Sequence, residues 1–357
     1  MKSNRILQIS LFFIYMLILC EGGARLIFSA QNPHKGISIE CNELWRNNWE
    51  RRHNSQIQIY YKFDNYSPTR GWSLKPNLRN EVIFGDKILN SNSKGIRGQT
   101  EYTYVKPKGK TRILVLGDSF TFGDGVSDTA TYPYFLQQLS PNAEVINFGI
   151  HGYGHDQMLI CLKEEGVKYN PDIVILGFVA GDMVRNMLEF RDYAKPRFVP
   201  IHNKLKLKNS PVCPPETMLK REPYRLKLID LLGILYNKIA QRLGVRNSEA
   251  RRITTAILDE MVEVITDSNA KPIFVYLSIG NEMINRQEKL TIPEEYLFKY
   301  CKSRGINCIF TRPYFINCLK RGVTLKTLGH WGEQEHLLVG QAINQYLVDN
   351  KLSPGKL

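Results

Sequence analysis

Between residues 112 and 310, five short apolar runs alternate with stretches of helical periodicity, and this rhythm limits the fold more than any other feature of the chain. The runs are "ILVLG" (113–117), "EVINFG" (144–149), "DIVILGFV" (172–179), "PIFVYLS" (272–278) and "INCIF" (306–310). Each is short and rich in residues that fit a buried strand. Helical patterns lie around them at 132–139, 156–169, about 224–243, about 249–268, 294–305 and 333–349. Strand–helix–strand units of this kind cross over right-handed and build a parallel sheet, so the expected class is α/β.

Ligands of open parallel sheets bind beyond the carboxyl ends of the strands. Gly117-Asp118-Ser119 follows the first run, "FGIHGYG" the second and "FVAGD" the third, and "GHWGEQEH" precedes the last helix. Together they supply the parts of acyl transfer. Ser119 is placed at a helix start, Gly152 lets a second backbone N–H approach the same point, and a late histidine stands as base. Asp-Ser is also an ordinary helix cap.

These blocks resemble a known family. "RILVLGDSFTFGDGV" (112–126), "EVINFGIHGYGHDQ" (144–157), "GVKYNPDIVILGF" (166–178) and "GHWGEQEHLLVGQAI" (329–343) are similar to the conserved blocks of the SGNH hydrolases, also called GDSL esterases. The lead-in "NSKGIRG" resembles a membrane-anchored bacterial branch of that family. The resemblance implies a three-layer α/β/α sandwich with a mainly parallel, five-stranded, flavodoxin-like sheet. It implies Ser119 as nucleophile, His330 as base, and oxyanion donors from Ser119 and Gly152. His336 competes with His330, but it falls inside the last predicted helix, six residues beyond His330, where the family carries a second histidine.

The chain departs from the family pattern in three places. Ala180-Gly181-Asp182 replaces Gly-Asn-Asp, so the third oxyanion donor falls to the N–H of Gly181, and Asp182 is read as a helix cap. Thr327 and Leu328 stand where the family has the aspartate that orients the histidine, which leaves a Ser-His dyad. Gly332 replaces an asparagine at the cap of the last helix. Losing an orienting carboxylate slows such a site without abolishing it.

Outside the blocks, Lys2 and Arg5 precede the uncharged "ILQISLFFIYMLILC" (6–20). Fifteen helical residues reach about 22 Å, and the run extends through "EGGARLIF" towards the roughly 30 Å hydrocarbon thickness. Two readings follow. One is an N-terminal single-pass anchor in the cytoplasmic membrane. The other is a signal peptide cut near Gly22 and Ala24, leaving a secreted or periplasmic protein. Both place the remainder outside the cytoplasm, because the positive flank stays inside. The expected organisation is 1–28 anchor or signal, 29–110 irregular lead-in, and 111–350 hydrolase-like domain with a basic insertion at about 191–250. Lys and Arg outnumber Glu and Asp nine to two between 195 and 227.

The formal net charge is +14, which suits an anionic polymer or a membrane surface. No zinc-finger, RNA-binding or basic-zipper signature is present, so nucleic acid is not an expected partner. Cys301, Cys308 and Cys318 are the best-placed candidates for disulfides. His151 and His155 are four apart, but "HGYGH" is too rich in glycine for the helix a metal pair needs. Neither metal nor cofactor is expected. The expected function is a serine-dependent ester hydrolase or O-acyltransferase acting on O-acyl groups of glycans or on lipid esters. The alternative is a catalytically impaired protein of the same fold that binds an envelope glycan or another anionic ligand.

Overall fold

The apolar runs form one sheet with helices on both faces. A computed structural model describes residues 2–29, 39–54, 61–202 and 204–352 of the 357. Residues 30–38 and 55–60 of the lead-in, and residue 203 of the basic insertion, lie outside the described residues.

In chain order the elements begin with α1 (Lys2–Ser29), α2 (Asn42–Asn54), β1 (Asp64–Ser67), β2 (Gly71–Leu74), β3 (Glu81–Ile83) and β4 (Lys87–Leu89). The sheet region follows with β5 (Thr111–Gly117), α3 (Ser119–Phe122), α4 (Tyr132–Leu139), β6 (Ala143–Gly149), α5 (His155–Glu164), β7 (Ile173–Phe178) and α6 (Asp182–Arg185). Next come β8 (Arg197–Ile201), β9 (Lys204–Lys208), α7 (Pro215–Arg221), α8 (Lys227–Arg242) and α9 (Val245–Asp267). The chain closes with β10 (Lys271–Tyr276), α10 (Ile292–Arg304), β11 (Asn307–Phe310), α11 (Arg312–Lys320) and α12 (Glu333–Asp349).

The main sheet runs β11-β10-β7-β5-β6 and every pairing is parallel. In β5, Leu114 and Leu116 face one core cluster while Ile113 and Val115 face another. The first cluster collects α5, α9 and α10; the second collects α4, α11 and α12. The fold is the expected three-layer α/β/α sandwich. A strand buried on both faces reads as a continuous apolar run, and for that reason these five runs are visible in the sequence.

The lead-in is more ordered than expected. It contains α2 and two antiparallel hairpins, β1–β2 and β3–β4. Strands of three or four residues are too short to show a period in the sequence. Trp49 of α2 is buried against Phe190, with ring centroids 5.5 Å apart.

The C-terminal end of α1 is built into the fold. Its apolar stretch, Arg5–Ser29, has a mean hydropathy of 1.8. Ala24 and Phe28 are buried, and Phe28 joins Cys41, Leu44 and Ile234 in one cluster. The Glu21 carboxylate accepts the first N–H groups of α8, from Lys227 at 3.1 Å and Leu228 at 2.8 Å. Arg25 Nη2 donates to the carbonyl of Arg225 at 3.0 Å.

The seven cysteines are free thiols, so the expected disulfides are absent. The neighbouring Cys301 thiol and burial together push the Cys308 thiol well above its ordinary range.

Candidate active site

The turn after β5 is held from two sides. Asp118 is fully buried and caps α3 by accepting from Phe120 N at 3.0 Å. Its other oxygen accepts from Arg185 Nη1 at 2.9 Å. The cap is thus Asp118, and Ser119 is the first helical residue, so the cap and the candidate nucleophile are neighbours. The turn sits directly on the sheet, because a Cβ on Gly149 of β6 would lie 2.3 Å from Phe122 N.

His330 Nε2 lies 2.9 Å from Ser119 Oγ. Burial holds this imidazole below its ordinary range, with the nearby Asp118 carboxylate opposing. The ring rests on Phe120 at 5.0 Å, and the next residue, Trp331, is buried against Phe120 and Phe315. Glu335 accepts from Gly332 N at 2.8 Å and Lys326 N at 2.7 Å. It thereby ties down both ends of the loop that carries His330. Gly332 offers no capping side chain, and Glu335 supplies the reciprocal half of the cap instead.

Among the described residues His330 Nδ1 has no hydrogen-bond partner. His336 is fully buried away from Ser119, and its Nδ1 accepts from Tyr132 N at 3.2 Å. Burial pushes His336 down to about 3, so it packs as a neutral ring.

Gly152 lines the same cavity as Ser119 and His330. Its φ is +75°, and a Cβ there would lie 2.6 Å from both Arg191 Nη1 and Asp192 Oδ2. Only glycine fits. Gly181 does not join it. It is exposed at the start of α6, outside the cavity lining, and its carbonyl is engaged by Val184 N at 3.1 Å. Asp182 is no cap either. It is the first residue of α6, fully buried, and pairs with Arg185. His151 sits in the turn before α5 and His155 inside it, and no cluster able to hold a metal exists among the described residues.

Several residues of the site escape a reading of the blocks. Asp124 is buried, its Oδ2 lies 3.7 Å from His330 Nε2, and its Oδ1 has no partner among the described residues. Burial raises its carboxyl to about 7, against the pull of His151 and Arg97. Arg191 lines the cavity, stacks over Trp45 at 4.5 Å and pairs with Asp192, and its Nε has no partner among the described residues. His151 Nε2 lies 2.9 Å from both oxygens of Asp64, which also accepts from Tyr193 Oη at 2.7 Å. Burial alone would depress His151, but the Asp64 carboxylate reverses this and raises it to about 9. Of these groups the sequence analysis singled out only His151, and only as half of a metal pair.

The cavity measures about 480 Å³. Its far wall is the lead-in: Tyr61 and Phe63 stack at 5.7 Å, and Phe84 meets Phe63 edge-on at 6.3 Å. Val82 and Phe84 remain exposed at the mouth. Phe84 holds φ +49° in the β3–β4 turn, a conformation that costs a bulky L residue about 1–2 kcal/mol.

Neither a family model nor a curated protein matches the chain. Solved structures do. The chain is similar to a member of the lipolytic protein G-D-S-L family from Veillonella parvula DSM 2008, at 12% identity over 67% of this chain and 98% of that one, TM-score 0.40. It is similar to a GDSL-like lipase from Bacteroides thetaiotaomicron VPI-5482, at 15% identity over 70% and 92%, TM-score 0.38. It is also similar to an acetyl xylan esterase, at 14% identity over 66% and 99%, TM-score 0.40. At these scores the likenesses carry no functional argument, which rests on the geometry above.

Proposed function

We propose that this protein is a serine-dependent ester hydrolase or O-acyltransferase, with Ser119 as nucleophile and His330 as base. The observation that carries the reading is the 2.9 Å approach of His330 Nε2 to Ser119 Oγ at a cavity that also holds Gly152. Ser119 Oγ attacks the acyl carbonyl carbon while His330 takes its proton. The N–H groups of Ser119 and Gly152 receive the developing oxyanion. Neither donates to a protein acceptor among the described residues. The Arg191 guanidinium supplies positive charge on the same side, where the chain lacks the family's asparagine. Collapse of the intermediate releases the alcohol, protonated by His330, and leaves Ser119 acylated. Water then hydrolyses the acyl-enzyme, or a second hydroxyl takes the acyl group.

The substrates are O-acyl groups of glycans or lipid esters, with the acyl ester at Ser119 and an apolar or ring-shaped portion against Phe63 and Phe84. The protein acts outside the cytoplasm. Of the two readings of the N-terminus, retention as an anchor is favoured, because Glu21 and Phe28 are structural partners of α8 and Arg25 of the turn before it. Cleavage near Gly22 or Ala24 would strip them or leave them at a frayed end.

The test is full-length protein in detergent with chromogenic acetyl esters and a fluorophosphonate probe. Turnover and covalent labelling at Ser119 are expected. Wild-type protein that does neither overturns the reading. One observation favours the second reading, a binding protein that has kept the cleft: the unpartnered Nδ1 of His330. Ligand binding that survives Ser119→Ala unchanged, without ester turnover in the wild type, is the outcome that selects it.

A further inference from the structure

Helix α8 presents two apolar faces. Leu231 and Ile234 pack with Phe28, Cys41 and Leu44. Ile229, Leu232, Leu235, Tyr236 and Ile239 form a second face that is 49–68% exposed. At the α-helical repeat these five side chains fall within about 120° of arc, a continuous stripe rather than scattered surface residues. Tyr224 and Leu226, at 86% and 52% exposure, extend it on the N-terminal side. A stripe of this kind marks a surface that is covered in the working protein.

What covers it is indicated by its neighbour. The N-terminus of α8 is capped by Glu21, and the residue before Leu226 is held by Arg25, so the stripe begins beside the last turns of α1's apolar stretch. The rim is cationic. Lys238 and Arg242 of α8 are exposed beside the stripe, while Asp230, the one acidic residue of α8, is buried in an ion pair with Arg225. Two exposed tyrosines beside basic residues match the composition of a lipid–water boundary. Two copies meeting through this face would set one cationic rim against another.

We propose that the exposed face of α8, with Tyr224 and Leu226, lies in the outer-leaflet interface of the membrane that α1 crosses, and that its rim takes anionic phospholipid headgroups. Basic residues close to an anionic leaflet add electrostatic attraction, and the apolar stripe adds its own burial. The fold would then be held by two attachments, one spanning and one lying flat against the surface, which fixes the orientation of the cleft relative to the bilayer. The inference rests on α1 being a retained span and is independent of the chemistry at Ser119.

The test uses the full chain in vesicles of phosphatidylcholine with about 30% phosphatidylglycerol, an anionic surface of the kind that attracts such rims. The photoreactive residue p-benzoylphenylalanine replaces Ile229, Leu232 or Ile239 in turn, and Val348 as control. Val348 is exposed on α12, whose core side packs on the opposite face of the sheet from α9. Illumination is expected to yield lipid adducts at the three α8 positions about tenfold above Val348, falling when phosphatidylglycerol is omitted. Adducts between two copies at these positions overturn the proposal, as do yields equal to the control. Intact mass read in parallel reports residues 1–28. Their loss removes the premise, while ester turnover, assayed separately, still judges Ser119.

Discussion

Ser119, Gly152 and His330 stand on one side of the cleft, and Tyr61, Phe63, Val82 and Phe84 on the other. The first side is the carboxyl edge of a parallel sheet, where each group follows a strand or precedes a helix and its place is fixed by topology. The second consists of two small hairpins with little backbone pairing, held in place by side chains: Asp64 on His151, Tyr66 Oη on the Val212 carbonyl at 2.5 Å, and stacked aromatic rings. On the function proposed above, the sheet edge supplies the reacting groups and the hairpins supply shape. Changes on the first side should therefore remove chemistry, and changes on the second should alter stability and selection.

The largest effect is expected from Ser119→Ala, which should lower ester turnover by at least about 10³-fold with no loss of melting temperature. A residual rate near wild type would place the chemistry elsewhere. Arg191→Met should lower kcat by roughly 10–100-fold and leave KM nearly unchanged, because the charge acts on the developing oxyanion. A change confined to KM would make Arg191 a substrate contact only.

Asp64→Asn breaks the link between the two sides. It leaves a buried His151 without its carboxylate and should cost about 3 kcal/mol in chemical denaturation. The pH dependence has a definite sign. The folded pKa of His151, about 9, lies above its ordinary 6.5, so the pair's contribution is complete below 6.5 and is lost as pH rises towards 9. Wild-type stability should fall over that window, and the variant's should not. His330, held below 6.5 by burial, acts as a base only when neutral. The rising limb of kcat/KM should therefore have its midpoint below 6.5, and a midpoint above it would mean that another group is the base.

The smallest effect belongs to Phe84→Gly. It relieves the positive φ, worth about 1 kcal/mol, and removes the ring at the mouth. Stability should stay level while KM for bulky apolar esters rises a few-fold and that for acetyl esters does not.

The difference between the two sides also explains what could be read in advance. The five strands showed as apolar runs because both their faces are buried. Ser119, Gly152 and His330 showed because the turns that carry them are short and rich in glycine. Asp64, Phe84 and Arg191 did not, since nothing in "FDNYS" or "EVIFGD" signals that a short hairpin will lie across a cleft formed some 35 to 266 residues later. Gly181 failed as a donor for a related reason. Glycine in place of asparagine leaves no side chain to reach from the start of α6, and Gly181 itself is exposed outside the cavity lining.

The capping of α8 by Glu21 carries a consequence for how the chain is assembled. The hydrogen bond from Lys227 N closes a separation of 206 residues. Closing a flexible loop of that length costs about 5 kcal/mol. The bond therefore forms late, once the intervening strands have shortened the gap. During synthesis α1 waits for a partner made far downstream, and a chain stalled before residue 227 has three strands of the sheet but no dock for α1. Pulse-labelled amide exchange during refolding should find the first turn of α8 among the last segments to gain protection.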